Sequence, residues 1–141
     1  MYLAKIKLEK TTEEGKIKKV TESYLLDTLS FTETEVRITE EMKPFISGNF
    51  SVEAISKKSY SEIIGTNENK WFECKLNFIT LDEVNGLEKK TAVLFLVNAE
   101  STRSANDKVV EAMKGSLADY EIEKVAETKI LEFFKYETTW N

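Results

Sequence analysis

The side chains best placed for chemistry in this sequence are lysines that occur twice in the same setting. Lys18-Lys19 follows the turn glycine Gly15, and Lys89-Lys90 follows Gly86 at the same distance. Lys5 and Lys75 hold matching places on the stretch before each turn, and Lys7 shares the outer face of the first strand with Lys5. Ammonium groups repeated in this way could clamp a bivalent anion or line a basic sheet surface for nucleic acid. Tyr24, Phe95 and Trp71 are the rings on which bases would stack. The simpler reading has the lysines keeping exposed strands from pairing edge to edge. It also assigns the three aromatics to the core, because they sit on the inward positions of alternating runs.

Catalytic chemistry has little to draw on. The chain has no histidine, so the usual base near neutral pH and the commonest transition-metal ligand are missing. Its five glycines are scattered, with no phosphate-cradling loop among them. A magnesium-dependent nuclease could be assembled from Asp27, Glu100 and Asp107 near strand-to-helix junctions, with Asp82 and Glu83 in a turn. Acids at helix starts and turns serve the helix dipole and solubility far more often. The expectation is a non-catalytic protein with no catalytic residue, no metal site and no cofactor.

The elements that must position these residues occur in two copies. Tyr2, Ala4, Ile6 and Leu8 alternate with polar residues, as do Phe72, Cys74, Leu76 and Phe78. This is the two-residue period of a half-buried strand. Each run leads to a polar turn ending in glycine and then to a second strand, 20–26 or 91–97, giving a β-hairpin. Ser30 and Ser101 then stand where a helix N-cap belongs. Thr34, Ile38, Met42 and Phe45 make one helical stripe, matched by Ala105, Val109 and Met113. Pro44 and Gly115 mark the helix ends. Third strands follow at 50–55 and 120–125, and short apolar codas, Tyr60-Ile63-Ile64 and Ile130-Phe133-Phe134, close the two units.

This reading is an α+β fold of two tandem β-β-α-β repeats related by pseudo-twofold symmetry, with helices on one face of an antiparallel sheet. The repeats span about residues 1–65 and 71–136, and 137–141 form a tail. A half of this length is marginal alone, so 1–141 is expected to be a single compact domain, with the polar stretch 65–70 as a tight connector.

Size and charge bound the function further. The 141 residues carry a formal net charge of −5, which opposes a protein held to nucleic acid chiefly by counterion release but leaves room for a local basic groove. No apolar run is long enough to span a membrane, no signal segment precedes the first strand, and the single cysteine, Cys74, excludes an intramolecular disulfide. The expected location is cytoplasmic. The aromatic C-terminus, with Tyr136 and Trp140, suggests a partner interface, and exposed sheet edges add a second reason to expect a homodimer.

Val20 through Ile38, then Glu41-Met-Lys-Pro-Phe-Ile-Ser-Gly, Phe78-Ile-Thr-Leu-Asp-Glu and Met113-Lys-Gly-Ser-Leu-Ala-Asp-Tyr-Glu-Ile, are similar to a family of small proteins from Bacteroidetes and their phages. That family is a domain of unknown function, so the resemblance implies context rather than an active site: a bacterial or phage cytosolic protein with a host or phage protein partner. The functional expectation is an accessory or interaction protein that acts by binding. A single-stranded nucleic-acid binder is the first alternative, a binder of small nucleotides or other anions the second, and the carboxylate nuclease the last.

Overall fold

The computed structural model describes residues 1–46 and 48–136. In chain order they form β1 (Tyr2–Thr11), β2 (Ile17–Leu26), α1 (Phe31–Met42), a 3-10 turn (Lys43–Phe45), β3 (Phe50–Lys57), β4 (Glu62–Ile64), β5 (Lys70–Asp82), β6 (Leu87–Ala99), α2 (Thr102–Ala112), β7 (Asp119–Glu127) and β8 (Ile130–Phe134). The fold is mixed α+β, with two four-stranded sheets and two α-helices among the described residues. The chain divides into two compact units, one comprising Met1–Lys58 with the segment from Lys129 onward, the other Ser59–Thr128.

In the first unit the sheet order is β3-β1-β2-β8. The alternation of β1 places Ala4, Ile6 and Leu8 in the core and leaves Lys5, Lys7 and Glu9 exposed on the other face. Gly15, at φ +80°, supplies the left-handed turn residue of the β1–β2 hairpin. Ser30 caps α1 by accepting from the Glu33 amide at 3.1 Å. The Glu33 carboxylate reaches one residue past the cap, accepting from the Leu29 amide at 2.9 Å. Thr34, Ile38 and Met42 are buried on the inward stripe of the helix, and Ile38 and Met42 meet Ala4, Ile6, Leu8, Tyr24 and Leu26. Phe45, expected on the same stripe, is instead exposed, because the α-helix ends at Met42 before Pro44 and Phe45 falls on the 3-10 turn. β1 and β3 pair with a bulge that leaves Glu53 between Val52, opposite Ile6, and Ala54, opposite Lys5.

The second unit has sheet order β4-β6-β5-β7. Phe72, Cys74 and Leu76 of β5 enter its core beside Phe95, Val97, Ala105 and Val109. Ser101 and Ser104 form a reciprocal capping box at the start of α2. A bulge after Lys75 leaves Glu123 unpaired in β7. The buried Asn98 side chain accepts from the Glu68 amide and donates to the Glu68 and Lys70 carbonyls, pinning the loop between β4 and β5. Gly65 in that loop has φ +88°, and an added Cβ would lie 2.6 Å from the Asn98 carbonyl oxygen.

The structure departs from the sequence reading at the codas and the connector. There is no single antiparallel sheet: each sheet has three antiparallel strands and a parallel fourth, β8 beside β2 and β4 beside β6. The coda after β3 completes the second sheet, and the coda after β7 completes the first. Chain length explains this. β3 already runs in the direction its own fourth strand would need, and a parallel return takes a crossover of about a dozen residues or more. Only Lys58–Ser61 separate β3 from β4, and only Thr128 and Lys129 separate β7 from β8. Residues 65–70 are consequently an internal loop of the second unit and not the join between halves.

Candidate anion-binding face

The structure sorts the six lysines into three groups. Lys18 and Lys89 stand opposite Lys10 and Thr80 in their hairpins, on the helix-bearing side of each sheet and toward the turn. Lys75 and Lys90 lie on the opposite face of the second sheet, and both are ion-paired. Lys75 Nζ is 2.7 Å from Glu123 Oε2, and Lys90 Nζ is 2.9 Å from Glu121 Oε1. Asn77 donates to the same Glu121 oxygen at 3.1 Å. The hydrogen bonds and charge of Lys90 hold Glu121 below the usual carboxylate range, those of Lys75 do the same for Glu123, and Glu121 raises Lys90 in return. These groups are exposed, so each pair is worth little to stability.

Lys5 and Lys19 form the third group, together with Lys7. All three project from the face of the first sheet away from α1, because β1 alternates and Lys19 pairs with Glu9 in the register. None of them forms an ion pair among the described residues. Ser51 of β3 stands opposite Lys7, where the second sheet has Glu121 opposite Asn77. Glu53, in the bulge, accepts from the Ser51 hydroxyl at 3.4 Å rather than reaching Lys5. Lys7, Lys19, Glu9, Asn49, Phe50 and Ser51 border an open cleft of about 230 Å³. The alternation of β1 already puts Lys7 on this face, whereas Ser51 enters the site through strand register alone, once the β1–β3 pairing is known.

The remaining candidates are placed elsewhere. Tyr24 and Phe95 are core residues and Trp71 is buried, so none offers an open stacking face. Burial and the Glu22 carboxylate, which accepts from the Tyr24 hydroxyl at 2.9 Å, push Tyr24 well above the usual tyrosine value. Asp27 is half-buried after β2, Glu100 and Asp107 are exposed at α2, and Asp82 and Glu83 lie in the β5–β6 turn. Asp82 is engaged there by the Val84 and Asn85 amides. No group of three or more acidic, histidine or cysteine side chains that could hold a metal comes together among the described residues. Cys74 is fully buried, and burial raises its thiol to about 11, which disfavours the reactive thiolate. Tyr136 is 49% exposed, and Trp140 lies outside the described residues.

A protein-family profile described as "Domain of unknown function (DUF4494)" matches residues 1–136. The chain belongs to this family. No curated protein matches it, and no solved structure does. No described helix is long and apolar enough to cross a membrane.

Proposed function

We propose that this protein is a non-catalytic accessory protein that acts by binding, with a phosphate-bearing ligand on the outer face of its first sheet. One observation carries the reading: Lys5, Lys7 and Lys19 share a face and form no ion pair among the described residues, while Lys75 and Lys90, on the same face of the second sheet, are each held by a glutamate and only Lys124 there is without an ion pair. A cleft of about 230 Å³ is below the roughly 300–1,000 Å³ typical of enclosed small-molecule pockets. Its openness in shape and its Asn49 and Ser51 donors suit a phosphate on a strand that continues past it. Single-stranded nucleic acid is therefore the first ligand class, and a free nucleotide held by its phosphates is the second.

The same reading takes the two units as products of an internal duplication, related by a pseudo-twofold, in which the second copy took Lys75 and Lys90 into ion pairs. It places the protein in the cytoplasm, associated with a phage or mobile element, and working as a homodimer or with a host or phage protein.

Fluorescence anisotropy with a labelled oligothymidylate tests the ligand class. Affinity is expected to fall with salt, and Lys7→Gln and Lys19→Gln are each expected to flatten the log–log salt dependence by about 0.7 per lost phosphate contact. Lys90→Gln, on the ion-paired face, should leave it unchanged. Absence of binding at low ionic strength, or an equal loss from Lys90→Gln, overturns the proposal for strands. A thermal shift with one nucleotide that Lys7→Gln abolishes would transfer the site to the free nucleotide.

A further inference from the structure

On the helix-bearing side of the first sheet, where β2 meets β8 beyond the end of α1, lies a second cleft of about 260 Å³. Its floor is apolar: Met42 closes it from the helix, and the Tyr24 and Phe134 rings stack across it at 5.7 Å. Phe45, on the 3-10 turn at the rim, is 78% exposed. Two carboxylates flank this floor. The Glu22 side chain is only 11% exposed, with Lys10 Nζ 3.0 Å from one oxygen and the Tyr24 hydroxyl on the other. Glu132 is exposed and forms no ion pair among the described residues. Lys10 thus answers one of two negative charges.

The second unit shows that the fold does not require this arrangement. By strand register, Val93 stands opposite Leu76 as Glu22 stands opposite Ile6, and Phe95 stands opposite Cys74 as Tyr24 stands opposite Ala4. Thr80 takes the place of Lys10. There Val93 packs against the core beside Phe95. A mostly buried carboxylate held by a lysine gives no dependable stability relative to apolar side chains of similar size. Glu22, Lys10 and the Tyr24 hydroxyl are therefore not required by the sheet itself and leave room for a binding role.

We propose that this cleft receives a lysine or arginine side chain from a basic segment of a partner polypeptide. The alkyl stem lies on Met42 and Phe134, the cationic head meets Glu132 and the outer edge of Glu22, and a neighbouring apolar residue of the partner covers Phe45. The volume suits a side chain better than a drug-sized ligand, which needs more space. The charge excludes an acidic occupant. This surface is separate from the lysine face, which lies on the other side of the same sheet, so the two proposals fail independently.

The test uses the full chain and a fluorescein-labelled peptide of alternating leucine and lysine, with the leucine–glutamate peptide as control. The lysine peptide is expected to bind and the glutamate peptide is not. Glu132→Gln and Phe45→Ala change exposed side chains, and each should weaken binding at least tenfold with an unchanged melting temperature. Lys7→Gln should have no effect. In ¹⁵N spectra the perturbed amides should cluster at Phe45, Tyr24 and Glu132–Phe134. Absence of binding, indifference to both substitutions, or shifts confined to other surfaces overturns the proposal. Equal binding of free spermidine with the same sensitivity to Glu132→Gln would overturn the polypeptide assignment in favour of a free polyamine.

Discussion

The two sheets share a strand order and carry a bulge at the same step, after Lys5 in one and after Lys75 in the other, yet they treat charge in opposite ways. In the second sheet two of the outer lysines, Lys75 and Lys90, are matched by Glu123 and Glu121, leaving Lys124 without an ion pair among the described residues, and the helix side is filled by Val93 and Phe95. In the first sheet the outer lysines have no such partners, and the helix side holds Glu22, Tyr24 and Lys10. The same strand order thus carries mostly ion-paired outer lysines in the second sheet and outer lysines without ion pairs, among the described residues, in the first. The second unit acts as an internal control: what it lacks is not needed to build the sheet, the helix packing or the parallel fourth strand. That makes the surplus polar groups of the first unit the better candidates for binding.

The largest effect expected from breaking this comparison concerns the fourth strands. Ile130, buried at the start of β8, belongs to the first unit although it follows the third strand of the second. Ile130→Ala should cost about 2–5 kcal/mol, read as a lower denaturant midpoint. Amide exchange should accelerate in β1 and β2 more than in β5 and β6. Acceleration confined to β5 and β6 would show that this coda serves the sheet it follows in sequence.

A smaller change of opposite sign is expected when the first unit is rebuilt in the image of the second. The triple substitution Lys10→Thr, Glu22→Val and Tyr24→Phe removes the part-buried ion pair and both hydrogen-bonding partners together. Stability should be unchanged or higher by about 1–4 kcal/mol, measured by denaturant unfolding, with loss of lysine-peptide binding. A marked destabilisation would show that the polar cluster is structural after all.

The smallest effect is confined to alkaline pH. Tyr24 in the first unit donates to Glu22, and Tyr60 in the second donates to Glu73 at 2.7 Å. Burial first, and then the glutamate, raise both phenols above the ordinary tyrosine value. A folded pKa above the unfolded one adds stability that is complete below the unfolded value near pH 10 and is lost as pH rises beyond it. Tyrosinate absorbance from these two residues should therefore appear only together with loss of the circular dichroism signal. Tyr24→Phe and Tyr60→Phe should each reduce that late phase by one phenol. Early ionisation of either would break the parallel between the units.

Much of the fold was legible before any coordinates. The alternation in Tyr2–Leu8 and Phe72–Phe78 marks the central strands, and the serines at 30 and 101 mark the helix starts. These signals are local, because a side chain's environment on one strand or helix turn follows from its neighbours in sequence. The assignment of β4 and β8 was misread, although the short links after β3 and β7 contained the objection: four or two residues cannot carry the chain back for a parallel return. Of the lysines singled out, Lys5 and Lys19 fall on the unpaired face and Lys75 and Lys90 do not. Residue type at matched positions could not separate them, since the difference lies in Ser51 against Glu121, across the strand pairing. The cleft of Glu22, Phe45 and Glu132 was missed for the same reason: its walls come from β2, the turn after α1 and β8.

The amino-acid sequence alone determined the strands, the helices with their caps, the hairpin turns and the inward face of each element, because those follow from side-chain period and local hydrogen bonding. Only the tertiary structure decided which sheet each terminal strand completes, which lysines meet a carboxylate, and where Glu22 and Glu132 converge. Those outcomes depend on pairings between residues far apart in the chain, whose geometry no local pattern encodes.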